Sequence, residues 1–185
     1  MSSWVARLVP FAALALSACI GAEPPPADGV FVGRAGDIWV AVVAEDDVVA
    51  AYACDGTGDK ATLGTWFYGQ LDRGVGSVAG AGDARLVLDL SDDAFAGALE
   101  LGGVERDVTG ERVEGDDLGL FWGEADGWVG GWIFAVDGDQ RGAVLERDTG
   151  DVSALLLPTA GEQTLTLVDG TPLPVTRMAA PRDLR

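Results

Sequence analysis

Between residues 85 and 101 apolar and polar side chains alternate, and this constrains the fold more than any other feature of the chain. In Arg85-Leu86-Val87-Leu88-Asp89-Leu90 the leucines share one parity, with Arg85 and Asp89 on the other. After the turn signal Ser91-Asp92-Asp93, the apolar parity resumes at Phe95, Gly97, Leu99 and Leu101. A period of two puts successive side chains on opposite faces of a pleated strand. Other strand-like runs, some alternating and some, such as 37–44, simply rich in Val, Ile and Trp, recur at 37–44, 48–54, 65–70, 108–113, 118–124, 127–136, 140–146, 152–157 and 164–168. Acidic or Gly-containing turns such as Glu45-Asp46-Asp47 and Asp137-Gly138-Asp139 separate several of them. Within 127–136, Trp128, Trp132, Phe134 and Val136 are expected on one face, and 172–177 reads as an edge strand. No stretch keeps a 3.6-residue period over a helical length, and the 27 glycines would weaken any long helix. The expectation is an all-β antiparallel meander forming a small barrel or sandwich, one domain over 30–177, with 178–185 frayed.

Charge and missing residue types narrow the chemistry. The chain has 12 Lys+Arg against 30 Asp+Glu, a formal charge of −18, and no histidine. A surface of that sign repels nucleic acid and anionic headgroups. Without histidine the commonest general base and the commonest transition-metal ligand are missing. Lys60 is the sole lysine.

The N-terminus has the order of a secretory signal. Arg7 is a short positive segment, 8–16 is apolar apart from Pro10, and Ser17 and Ala18 lead into Cys19. The run is too short to span a bilayer as a helix. Leu16-Ser17-Ala18-Cys19 resembles the bacterial lipobox. That resemblance implies removal of 1–18, acylation of Cys19, and an exported protein held by its lipid at the cell membrane or the outer membrane. Ile20 stands where that family's inner-membrane retention signal carries Asp. Loss of Arg7 would leave 11 basic residues against 30 acidic, a charge of −19. Residues 19–29 include Pro24-Pro25-Pro26 and read as an extended tether, at about 3.1 Å per residue. An ordinary signal cut near Cys19 is the competing reading.

The blocks Ala51-Tyr52-Ala53-Cys54-Asp55-Gly56, Trp66-Phe67-x-Gly69, the leucine hairpin and Gly119-Leu120-Phe121-Trp122 resemble exported bacterial β-meander domains with no assigned activity. The similarity spans about 30–147 and implies the fold, with no catalytic or binding residue attached.

Candidate chemistry is sparse. With Cys19 acylated, Cys54 has no disulfide partner, and its parity with Val48, Ala50 and Tyr52 predicts a buried, inert thiol. Asp148-Thr149-Gly150 matches the aspartic-protease triplet but follows Glu146-Arg147 rather than an apolar strand, and reads as a surface turn. Asp55 and Asp59 could touch a hard cation, although the loop lacks the oxygen ligands of a calcium site. Residues 74–80 are glycine-rich but open no helix and hold no lysine for a phosphate, and Ser77 lacks a nucleophile elbow. No cofactor is called for.

The aromatics are the remaining lead. Trp39, Trp66, Trp122, Trp128 and Trp132 fall in strands, as core-filling residues do. Trp66, Trp128 and Trp132 are also the candidates for stacking on a glycan or apolar ligand, the last two about 13 Å apart along one strand face. The reading is a lipid-anchored, extracytoplasmic, non-catalytic binding or envelope-structural module. Its partner would be an envelope protein, a glycan or a small apolar ligand. The alternatives are a hydrolase of envelope polymers using an Asp/Glu pair, and a barrel carrying an apolar ligand.

Overall fold

Tight acidic and glycine turns join most neighbouring strands into hairpins, and the result is an antiparallel meander. The protein is described by a computed structural model covering residues 27–58 and 60–185. The lipobox, Cys19, the signal at 1–18, the three prolines and Asp59 lie outside the described residues. The first eight strands are β1 (Gly29–Ala35), β2 (Ile38–Glu45), β3 (Val48–Cys54), β4 (Gly64–Gln70), β5 (Val75–Gly80), β6 (Arg85–Leu90), β7 (Ala94–Leu101) and β8 (Val104–Arg112). Each pairs with the next, and β1 pairs with β8 from Phe31↔Arg112 to Arg34↔Thr109, closing a barrel.

Six more strands follow: β9 (Gly119–Ala125), β10 (Trp128–Phe134), β11 (Gln140–Glu146), β12 (Val152–Ala154), β13 (Gln163–Thr166) and β14 (Pro172–Arg177). Their order is β12-β11-β10-β9-β14-β13. Because β14 returns to β9, this is a second meander closed first strand to last, interrupted between its shortest strands, β12 and β13. The fold is therefore all-β and antiparallel, a barrel beside an incomplete barrel.

The apolar parity of each strand fills one of three cores. Phe31, Val40, Val42, Phe67, Leu86, Leu88, Phe95 and Leu99 pack the interior of the closed barrel. Trp39, Tyr52, Cys54 and Trp66 lie on its outer face and pack against Leu120, Val129, Ile133 and Ala143 of the second sheet. Phe121, Trp132, Phe134, Leu157, Leu173 and Val175 fill the curl of that sheet. β2 and β3 are thus covered on both faces, which is why they read as continuous apolar runs rather than alternating ones. On the uncovered side, β6 to β8 turn Arg85, Asp89, Glu105, Asp107 and Glu111 outward into solvent. Charges stand there where a membrane-spanning barrel carries its apolar band.

Several expectations need correction. β14 is not an edge strand: it lies between β9 and β13, and its Pro172 and Pro174 sit opposite β13. Val136 lies past the end of β10 and is 75% exposed, and Val168 is fully exposed past β13. Residues 74–80 contain β5, whose glycines let neighbouring side chains close over it. The C-terminus is not frayed. Met178 and Leu184 are buried against the barrel–sheet interface, while Arg182 and Arg185 lie over the rings of Trp122 and Tyr68 at 4.4 and 5.5 Å. At the other end Ala27 is buried in the barrel core and the Asp28 carboxylate accepts the Asp46 N–H, so 27–29 belong to the fold rather than to a tether.

Candidate functional site

A groove of about 1010 Å³ runs along the outside of the closed barrel. Ala94 and Ala96 of β7 and Thr109 and Glu111 of β8 contribute outward-facing side chains to it. The turn after β10, at Ala135, Val136 and Asp137, forms one bank. Strand pairing fixes the layout: Asp89 stands opposite Ala96, Ala96 opposite Thr109, and Ala94 opposite Glu111. Asp89 and Glu111 are therefore two strands apart and two residues out of step, about 12 Å between Cα atoms by strand spacing and rise.

The arginines of the groove are already engaged. Arg34 lies 3.5 Å from the Asp137 carboxylate and stacks over Trp39 at 4.4 Å, with Arg141 also over that ring at 4.7 Å. Arg112 donates to the carbonyls of Asp28 and Asp92 and sits 5.1 Å from the ring centre of Phe31, capping one end of the barrel core. Asp89 and Glu111 make no ion pair among the described residues.

The residues singled out from sequence fall elsewhere. Trp66 is 4% exposed in the barrel–sheet interface, with its ring 4.5 Å from Tyr52. Trp132 is fully buried in the curl of the second sheet. Trp128 is half-buried beside that core, its indole N–H donating to Asp169 at 3.2 Å. These rings form no exposed row, and none lines the groove. Leu101 and Trp122, expected in the core, are half-buried as well. Asp148-Thr149-Gly150 is the turn between β11 and β12, with the Thr149 hydroxyl bonded to Glu146.

Asp55 closes a loop. One of its oxygens accepts the Thr62 and Leu63 N–H groups at 2.8 and 2.9 Å, and the other accepts the Thr62 hydroxyl. Its partial burial pushes the carboxyl up, but these hydrogen bonds prevail and hold it below the ordinary carboxylate range. With its oxygens so used, Asp55 is a loop clasp, and among the described residues no cluster of acidic or thiol ligands suits a metal. Asp55→Ala should cost about 1–3 kcal/mol, the range for losing charge-assisted hydrogen bonds. Because the folded value is depressed, the stability Asp55 contributes is complete above the unfolded value near pH 4 and is lost as pH falls through the folded value. The gap between urea titrations of wild type and Asp55→Asn should therefore be smaller at acidic than at neutral pH. A gap of the same size at both would refute the clasp.

Cys54 is fully buried. Burial pushes its thiol up to about 11, against the opposing Gly56 N–H that donates to Sγ at 3.1 Å. A thiol held neutral and covered is a poor nucleophile. Alkylation followed by peptide mapping should find Cys54 unmodified in native protein and modified once urea is added. Rapid native labelling at that peptide would contradict its burial.

The groove was not visible from sequence, because its residues come from β1, β6, β7, β8 and the β10–β11 turn. The one available signal was the row Ala94, Ala96 and Ala98, small residues on the polar parity of a strand. No protein-family profile matches the chain, and no curated protein or solved structure is similar to it.

Proposed function

We propose that this chain is a lipid-anchored, extracytoplasmic binding module of the bacterial envelope, without catalytic activity. The anchoring rests on Leu16-Ser17-Ala18-Cys19 following an apolar run, with a proline-containing segment leading to the first strand. The observation that carries the binding reading is where free space lies. Side chains from Phe31 to Leu99 pack together in the interior of the closed barrel, where a carrier of apolar ligands would keep open space. The groove lies instead on the outer wall, open to a macromolecular partner.

Fractionation of cells and intact mass of the native protein test the reading. Wild type should stay with membranes and carry acyl chains on an N-terminal Cys19, and Cys19→Ala should move to the soluble fraction. Two or more chains, at about 0.8 kcal/mol per buried CH₂, would hold it durably. A wild-type protein found fully soluble, or starting elsewhere than Cys19, would overturn the anchoring.

A further inference from the structure

We infer that the groove between the β7–β8–β1 wall and the β10–β11 turn docks an extended, cationic polypeptide segment. The inference deepens the binding reading above and rests on it. Shape supplies the first argument. At about 1010 Å³ the recess lies at the top of the range of roughly 300–1000 Å³ typical of small-molecule sites. Ala94 and Ala96 project only methyl groups into it, so a main chain can approach the barrel wall closely. Val136 stands 75% exposed at the lip, offering an apolar contact that the fold itself does not use.

Charge supplies the second argument and chooses the occupant. The Arg34 charge is matched by Asp137, and that of Arg112 is directed at backbone carbonyls and the Phe31 ring. What remains facing outward is Asp89 and Glu111, with Asp93 and Glu114 lining the adjoining depression. A partner must therefore bring positive charge. A second copy of a chain with formal charge −18 does not, nor does an anionic lipid or a nucleic acid. A segment alternating basic and small apolar residues complements both the rim and the floor.

The test measures binding of the synthetic peptide (Lys-Val)4 to the full-length protein in neutral detergent at low salt. Asp89→Asn/Glu111→Gln removes two charges at the groove, and Asp148→Asn/Asp151→Asn removes two at the distant β11–β12 turn. The groove pair should weaken binding by about tenfold or more, with the distant pair within about twofold of wild type and all three proteins melting alike. (Glu-Val)4 should not bind. Equal weakening by both pairs, or no binding of (Lys-Val)4 at all, would overturn the assignment. So would spermine binding as tightly as the peptide with the same dependence on Asp89 and Glu111, since the site would then recognise charge without a polypeptide. Each of these outcomes is independent of the Cys19 fractionation, so failure of the groove and failure of the anchored module are told apart.

Discussion

Trp132→Ala should lower the unfolding free energy by about 3–5 kcal/mol, the range for deleting a large core aromatic. The ring is fully buried and spans neighbouring strands of the second sheet. A Cβ added to Gly142 of β11 would come within 2.1 Å of it, and one on Gly130 of β10 within 2.4 Å. Those glycines shape the bed on which the indole lies and offer no side chain to fill the space it would leave. Its N–H also donates to the Leu155 carbonyl at 2.6 Å, in the segment that extends β12 along β11. Truncation would leave that carbonyl without its partner as well as opening a cavity, placing the loss toward the top of the range. Urea unfolding followed by tryptophan fluorescence and by circular dichroism should show the midpoint fall at unchanged slope. A loss under about 1 kcal/mol would mean that the indole is not a core residue.

Gly131→Val should destabilise by about 3 kcal/mol, the upper end for overpacking. Gly131 of β10 faces the Tyr52 ring across the contact between the barrel and the second sheet. A Cβ there would stand 2.6 Å from the Tyr52 ring, which is itself held by Trp66 on one side and reaches toward the Ala143 carbonyl at 3.4 Å. The ring cannot retreat without opening the interface that also holds Trp39 and Ile133. The signature is non-additivity. In a Tyr52→Ala background the same valine should cost much less, giving a coupling of the 0.5–3 kcal/mol typical of contacting residues. Strict additivity would show that the interface does not depend on this contact.

The strands were legible where the sequence carried a physical contrast. The leucine hairpin shows it because one face of β6 and β7 meets solvent, so burial and parity coincide. β2 and β3 were still recognisable from β-branched content and bounding turns, although both faces are buried. What could not be read was the arrangement. That β8 reaches β1, and β14 reaches β9, depends on pairings between residues far apart in sequence, which no local pattern encodes. β14 reads as an edge strand from its own residues, yet it pairs with β9 on one side and β13 on the other, with Pro172 and Pro174 opposite β13. Val136 kept the apolar parity of β10 but fell just past its end, and Val168 has the parity of the exposed Thr164 and Thr166. The C-terminal residues looked like a tail because alternation stops at Arg177, whereas Met178, Arg182, Leu184 and Arg185 are held by individual contacts with rings and core. The groove is invisible for the same reason as the closures, since its floor and rim meet only after the barrel has formed.

The meander connectivity has a consequence for how the chain assembles. Every strand contact within the two barrels joins sequence neighbours, except the pairings of β1 with β8 and of β14 with β9. Registers can therefore be set hairpin by hairpin, in the order in which the polypeptide becomes available. The unfavourable entropy of bringing distant segments together is concentrated in one late event per barrel. Until β8 arrives, β1 and the growing strand each present unpaired backbone to other chains; after it arrives, neither does. A product ending before β8 would thus retain two sticky margins, whereas one ending after β8 would leave the first barrel with none.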